Sequence, residues 1–358
     1  MLNYQRKLAL ASLSLIYWGM YMVAASAQTV SVSTVPSGYF TLTIPAGFGN
    51  SSSISVLSFP LQGIGGASGQ MAGIISGITA NTITNSNAVW TASQLSVPAT
   101  PYLLQITSGT AAGRTFLLST TVANTSTTVT LDPNDSIKTP DLTTLGIVTG
   151  TDTYQIIPAD TISGLFGTPA TTGIVGGAGS STNADLITVS TSGWNGYYYD
   201  TNSNHWLRLA LPHTQGDNIV IRPDSGVIFN RFGTSALTIT VAGQVPSVAR
   251  QSLVANSGVT LFSNNWPVDQ TLGTSNIQNL PGWISGSSAS TSDTVVLFNS
   301  VTGWRLYYYN GTHWIWSNPS HAISDSIVIP AGSIGYITKQ GATSGYAILT
   351  QNLPYSLN

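Results

Sequence analysis

The chain has no cysteine and no glutamate, and only 6% of its 358 residues are charged, against roughly 25% in ordinary soluble domains. Each shortage excludes something. Without cysteine there is no disulfide, no thiolate nucleophile and no sulfur ligand for a metal. Without glutamate, acid–base chemistry would rest on 12 Asp and 4 His, and no pair of carboxylates stands out of the kind that glycoside hydrolysis needs. No Gly-x-Ser-x-Gly elbow is present. Gly65-Gly66 and Gly176-Gly177 are not followed by the Lys-Ser/Thr of a phosphate cradle. A formal net charge of −2 offers no cluster of cations to neutralise phosphates, so nucleic acid is not an expected partner. These exclusions predict a protein that is not an enzyme and carries no cofactor.

Surface polarity must instead come from Ser, Thr, Asn, Gln and Gly. Good helix formers such as Glu and Lys are replaced by Thr, Val, Ile, Tyr and Trp, which favour strands. The expected fold class is therefore all-β. The length accommodates about two or three domains with cores of their own.

Arg6 and Lys7 precede an apolar stretch from Leu8 to Val23, followed by Ala25-Ser26-Ala27, the order of a secretory signal peptide with a small-residue cleavage site. Cleavage after Ala27 leaves Gln28 first. An uncleaved anchor is the alternative, since Leu8 to Ala25 nearly suffices to span a bilayer. No later segment could span as a helix, so the mature chain is expected outside the cell or on its surface, without a membrane span.

One block of residues occurs twice. Gly193-Trp194, Tyr197-Tyr198-Tyr199, His205-Trp206 and Asp217 before Ile219-Val220-Ile221 return as Gly303-Trp304, Tyr307-Tyr308-Tyr309, His313-Trp314 and Asp325 before Ile327-Val328-Ile329. His205, His213 and Asp217 recur as His313, His321 and Asp325 at one constant offset of 108 residues, and these are all the histidines. Such self-similarity marks a repeated unit. It extends downstream, from Leu237–Val241 and Val245-Pro246 to Tyr346–Leu349 and Leu353-Pro354. It also extends upstream, where Ile54–Leu57 leading to Phe59-Pro60 resembles Val259–Leu261 leading to Trp266-Pro267.

The second copy passes quickly from Pro267 to Thr271-Leu272-Gly273, whereas the first reaches Thr161-Ile162-Ser163-Gly164 only after a long insertion. The organisation predicted is a signal peptide over 1–27, a first β-module from 28–60 and 161–246, an inserted module over 61–160, and a second β-module over 247–358. Short β-branched runs bounded by Gly, Asn, Asp and Pro predict β-sandwich or jelly-roll-like modules, with a small β-barrel-like insert. Strands are expected at Ile219–Ile221 and Ile327–Ile329. Tyr197–Tyr199 and His205–Leu209 read as a hairpin, and Asn310-Gly311 is a strong turn signal in the second copy.

Aromatic residues in such hairpins read first as cross-strand packing pairs. Where exposed, they are candidates for stacking on sugars or anchoring a protein, and Trp194, Tyr198, Trp206, Trp304, Tyr308 and Trp314 are the candidate ligand-binding residues. Two His and one Asp per copy could in principle ligate Zn²⁺, but no HExxH or His-x-His spacing sharpens that idea, and no metal is expected. Asp132-Pro133-Asn134-Asp135 lacks the spacing of an EF-hand loop and reads as a turn capped by Asp.

The leader, the Tyr102 to Thr115 segment, Trp266-Pro267-Val268-Asp269 and the duplicated tyrosine hairpins together resemble a family of secreted, duplicated all-β bacterial proteins with no established function. The resemblance implies export and a β-rich fold, and it brings no binding residues with it. The expected function is that of a secreted structural or cell-surface protein whose partners are copies of itself, assembled into a matrix, layer or fibre by β-strand addition, with Thr29 to Thr43 as donor. The alternative is a carbohydrate-binding or adhesive module that uses the aromatic hairpins on a cell-surface polysaccharide.

Overall fold

Period-two alternation of apolar and hydroxyl side chains is satisfied almost everywhere by antiparallel pairing. The computed structural model is 41% strand and 5% helix and describes residues 36–48, 51–63, 71–135, 141–190, 193–299, 302–341 and 343–356. The predicted leader, Gly65-Gly66 and residues 29–35 of the predicted donor stretch lie outside the described residues. Among the described residues no helix is long and apolar enough to cross a membrane.

The protein is all-β, with three separate clusters of buried apolar side chains. The first gathers Ile44, Leu57 and Phe59 with Ile162, Phe166, Ile187, Tyr197, Trp206 and Phe229. Its main layer is a five-stranded antiparallel sheet in the order His205–Arg208, Trp194–Asp200, Leu186–Ser190, Val227–Arg231, Ser53–Leu57. A two-stranded ribbon of Ser37–Ile44 on Leu237–Gln244 closes the other side through Ile44, Leu237 and Ile239. A short helix, Ile162–Phe166, capped by the Thr161 hydroxyl on the Gly164 N–H, plugs one end.

The third cluster uses the same arrangement. Its sheet runs Trp314–Trp316, Gly303–Tyr309, Thr294–Asn299, Ile334–Gln340, Ser257–Ser263, and its ribbon pairs Arg250–Ala255 with Tyr346–Gln351. Thr161 bridges Val220 as Thr271 pairs with Val328. That single bridge is all the pairing in the segment expected as the strand Ile219–Ile221, and its counterpart shortens to Val328–Ile329. Ile221 is instead held through its N–H by the Asp160 carbonyl.

Residues 71–135 and 141–158 enclose the second cluster, around Trp90, Leu104, Phe116, Leu131 and Tyr154. A four-stranded and a three-stranded sheet are joined by the Leu118–Leu131 bridge. The ring closes where Ile75 donates to the Asp152 carbonyl and Ser76 to the Thr84 carbonyl, a small barrel-like body. Arg222 reaches Asp135 Oδ2 of this body at 2.7 Å, and Asp224 Oδ1, two residues along the chain, accepts from its Nε at 3.2 Å.

Charge is scarce, and much of it is inside. Asp185 and Arg231 form a close ion pair with side chains 0% and 3% exposed. At the same 108-residue offset, Lys339 Nζ lies 4.0 Å from Asp293 Oδ2, again in the interior. The carboxylates do more than pair. Asp185 accepts from the Val175 and Phe232 N–H groups, both at 2.8 Å. Asp293 accepts from Ile284 at 2.9 Å and Gln340 at 2.7 Å. Each Asp therefore pins the loop that enters its sheet to the end of a central strand. Removing one partner of a buried pair strands the other charge, at a cost of about 3–5 kcal/mol. Asp185→Ala and Asp293→Ala should each lower the unfolding free energy by that amount in urea titrations, and a loss below about 1 kcal/mol would place these pairs with ordinary surface bridges.

Asp160 sits where the insert returns to the first module, and burial pushes its carboxyl up to about 7 from an unfolded value near 4. Between these values the folded state binds the proton and the unfolded state does not, so stability falls as pH rises from about 4 to about 7. Asp160→Asn should flatten the stability profile in that window, as read from thermal unfolding at stepped pH.

Candidate functional site

The repeated hairpins place their signature residues alike. Asp217 Oδ2 accepts from His205 Nδ1 at 2.6 Å while Oδ1 accepts from the Trp206 backbone N–H at 2.8 Å. Asp325 holds His313 and the Trp314 N–H in the same way, at 2.6 and 2.7 Å. Each Asp clamps the hairpin's outer strand to the following loop. The histidine side chains remain 47% and 43% exposed, and among the described residues neither ring meets a hydroxyl that it could activate. His213 bonds instead to the Arg208 carbonyl, and His321 approaches the Tyr308 hydroxyl at 3.3 Å. No group of three or more His, Asp or Glu among the described residues is placed to hold a metal ion. Asp132 accepts from the Asn134 N–H and caps its turn.

The six aromatic candidates divide. Trp206 and Trp314 are fully buried, Tyr198 and Tyr308 are 1% and 4% exposed, and none of the four has appreciable surface to offer a ligand. Trp206 packs edge-on to Phe166 and Tyr199 and gives its indole N–H to the Gly167 carbonyl at 2.9 Å. Trp314 lies between Trp283 and Tyr309. Alternation turns Tyr197 and Tyr199 into the core and Tyr198 to the other face, but that face is covered too, by the edge of His213. The expectation of an open aromatic face is corrected at these four positions: Trp206 and Trp314 turn into the cores, while His213 and His321 lie over Tyr198 and Tyr308. Beside Tyr308 there remains an open depression of about 600 Å³ lined by Gly286, Ser287, Asn310, Ile315 and His321.

Trp194 and Trp304 differ, at 48% and 41% exposed. They open the equivalent strands of the two modules, and both rings meet one residue, Tyr336, with centroids 6.1 and 5.0 Å away. Phe298 supports Trp304 from below at 5.1 Å. Tyr336 was not among the sequence candidates, since a contact that joins two modules leaves no mark on the pattern of either.

Strand edges are the other exposed feature. Ser37–Ile44 pairs with Leu237–Gln244 of its own chain over eight residues, so this part of the predicted donor stretch is already engaged on one side. Among the described residues no strand pairs with the other edge of residues 38–44. Phe40 and Leu42 turn inward, where a Cβ at Gly332 would fall 2.5 Å from Phe40 and 2.9 Å from Leu42. That position also has φ +69°, so glycine is required there. Tyr39, Thr41 and Thr43 turn outward, with Tyr39 81% exposed. Ser257–Ser263 is likewise a sheet edge, and Val259 on it is 64% exposed. Neither strand contains a charge or a proline, the usual protections of an edge.

No protein-family model matches the chain, and comparison with the curated proteins and with the solved structures found none similar to it.

The clamp yields a direct expectation. Asp325→Ala removes a carboxylate that serves both an N–H and a histidine, and hydrogen bonds to charged groups contribute about 1.5–3 kcal/mol each. With the His313 pair partly solvated, we expect a loss of about 2 kcal/mol for Asp325→Ala and a smaller one for His313→Ala, measured by chemical unfolding. Equal losses would mean that the histidine, rather than the backbone contact, anchors the hairpin.

Proposed function

We propose that this chain is a secreted, non-enzymatic structural protein of the cell surface that assembles with copies of itself through its strand edges. The observation that carries the reading is the edge of residues 38–44, uncharged, with an exposed tyrosine and with no pairing on its outer side among the described residues. Soluble proteins blunt such edges with lysine, proline, bulges or a covering element, and an unblunted edge is a template for strand addition. Like-charge repulsion, which would oppose close approach, is nearly absent. Among the described residues only Asp141 and Asp269 are exposed acids, and no Lys or Arg is exposed. Export through the leader brings the chain to a compartment where such association is useful.

The mature protein should form particles that grow with concentration in light scattering and appear ordered by electron microscopy. Tyr39→Lys/Thr41→Lys places two charges on the outward face without touching Phe40, Leu42 or Ile44. Its monomer should unfold within about 0.5 kcal/mol of wild type yet fail to assemble. A wild type that stays monomeric at high concentration contradicts the reading, as does a double variant that assembles normally.

A further inference from the structure

Trp194 and Trp304 are the exception to an otherwise consistent rule, that the hairpin aromatics are buried. Both follow a glycine with positive φ, Gly193 at 143° and Gly303 at 73°, and a Cβ built at either glycine meets nothing within 4 Å. The rings do not stack into a closed core. Trp194 meets Tyr336 at an interplanar angle of 63° and Trp304 meets it at 48°, and nearly half of each tryptophan stays in water. The three rings form a row whose ends lie no farther apart than the two centroid steps, 6.1 and 5.0 Å, laid end to end.

We propose that Trp194, Tyr336 and Trp304 form a stacking platform, shared by the two β-modules, for an uncharged polysaccharide chain. The faces of pyranose rings carry C–H groups that rest on the negative face of an aromatic ring, and three adjoining rings offer a chain more than one such contact. Three magnitudes and chemistries favour this occupant.

A fully buried aromatic covers about 150–250 Å², so two half-exposed tryptophans present about 200 Å², well short of the roughly 800 Å² per partner that a stable protein interface needs. A single-stranded nucleic acid also stacks on aromatics, but it needs a basic groove beside them. Here the neighbouring Arg305 is turned away, its guanidinium 4.4 Å from the Trp316 ring. A small aromatic ligand calls for a concave pocket that encloses it, whereas the two tryptophans here stand 48% and 41% exposed. The platform is independent of the strand edges, which lie on other elements.

The test is affinity electrophoresis and pull-down of the full mature protein with insoluble and soluble neutral glucans, xylans, mannans and chitin, beside acidic alginate and pectin. The wild type should be retarded by at least one neutral polymer and not preferentially by the acidic ones. Trp194→Ala and Trp304→Ala should each weaken binding about tenfold, and the double variant should abolish it while keeping the wild-type melting temperature and particle size. Tyr336→Phe, which keeps the ring, should bind as wild type. Absence of binding to every neutral polymer overturns the proposal, as does full binding by the double variant. Loss of self-assembly in the double variant with glycan binding intact would show instead that a second copy of the chain occupies the platform.

Discussion

The buried pairing of one carboxylate with one cation in each module is the interaction on which the rest of the structure depends. Asp185 with Arg231, and Asp293 with Lys339, sit where an incoming loop, a central strand and a turn must be held together. Arg231 and Lys339 each also reach the carbonyl at one equivalent position, Gly173 and Pro281, and Arg231 adds the Ser235 carbonyl, so cation and Asp hold the same loop in both. A charge in the interior is tolerated only when it is paired and hydrogen-bonded. Both carboxylates also take backbone N–H groups, which supplies that condition.

That placement explains the surface. Arg114, Arg231, Arg250, Lys339 and five of the aspartates are buried, so a chain already poor in charge exposes still less of it. What meets water is hydroxyl, amide and scattered aromatic side chains. Strand edges then lack the lysines that normally keep sheets from pairing with one another, and an aromatic platform lacks the cations that would direct it to phosphates. Low charge is therefore one cause with two consequences, at the edges and at the tryptophans.

Much of the fold was legible in the sequence for definite reasons. Alternation marked the strands, Asn310-Gly311 and the Asp200–Asn204 turn marked the hairpins, and the return of His205, His213 and Asp217 at a fixed offset drew attention to the repeated block. The same offset also relates Asp185 to Asp293 and Arg231 to Lys339. These pairs were passed over because a change from Arg to Lys hides the match and because burial of a charge is not visible in a local pattern. Tyr198 and Tyr308 were misjudged for a related reason. Alternation tells which face a residue takes, but not whether a neighbouring loop covers that face. Tyr336 required the two modules to be side by side before its role appeared.

The central claim is that a neutral strand edge, left unprotected because charge is held inside, joins one copy of this chain to another. Hydrogen–deuterium exchange of the mature protein at low and high concentration tests it most directly, since every second N–H of an antiparallel edge strand points away from its partner. The account predicts that the outward-pointing amides of residues 38–44 exchange freely in the monomer and become protected on assembly, while amides in the central strand Leu186–Ser190 are protected in both. Assembled particles in which the edge amides exchange as fast as in the monomer would contradict it.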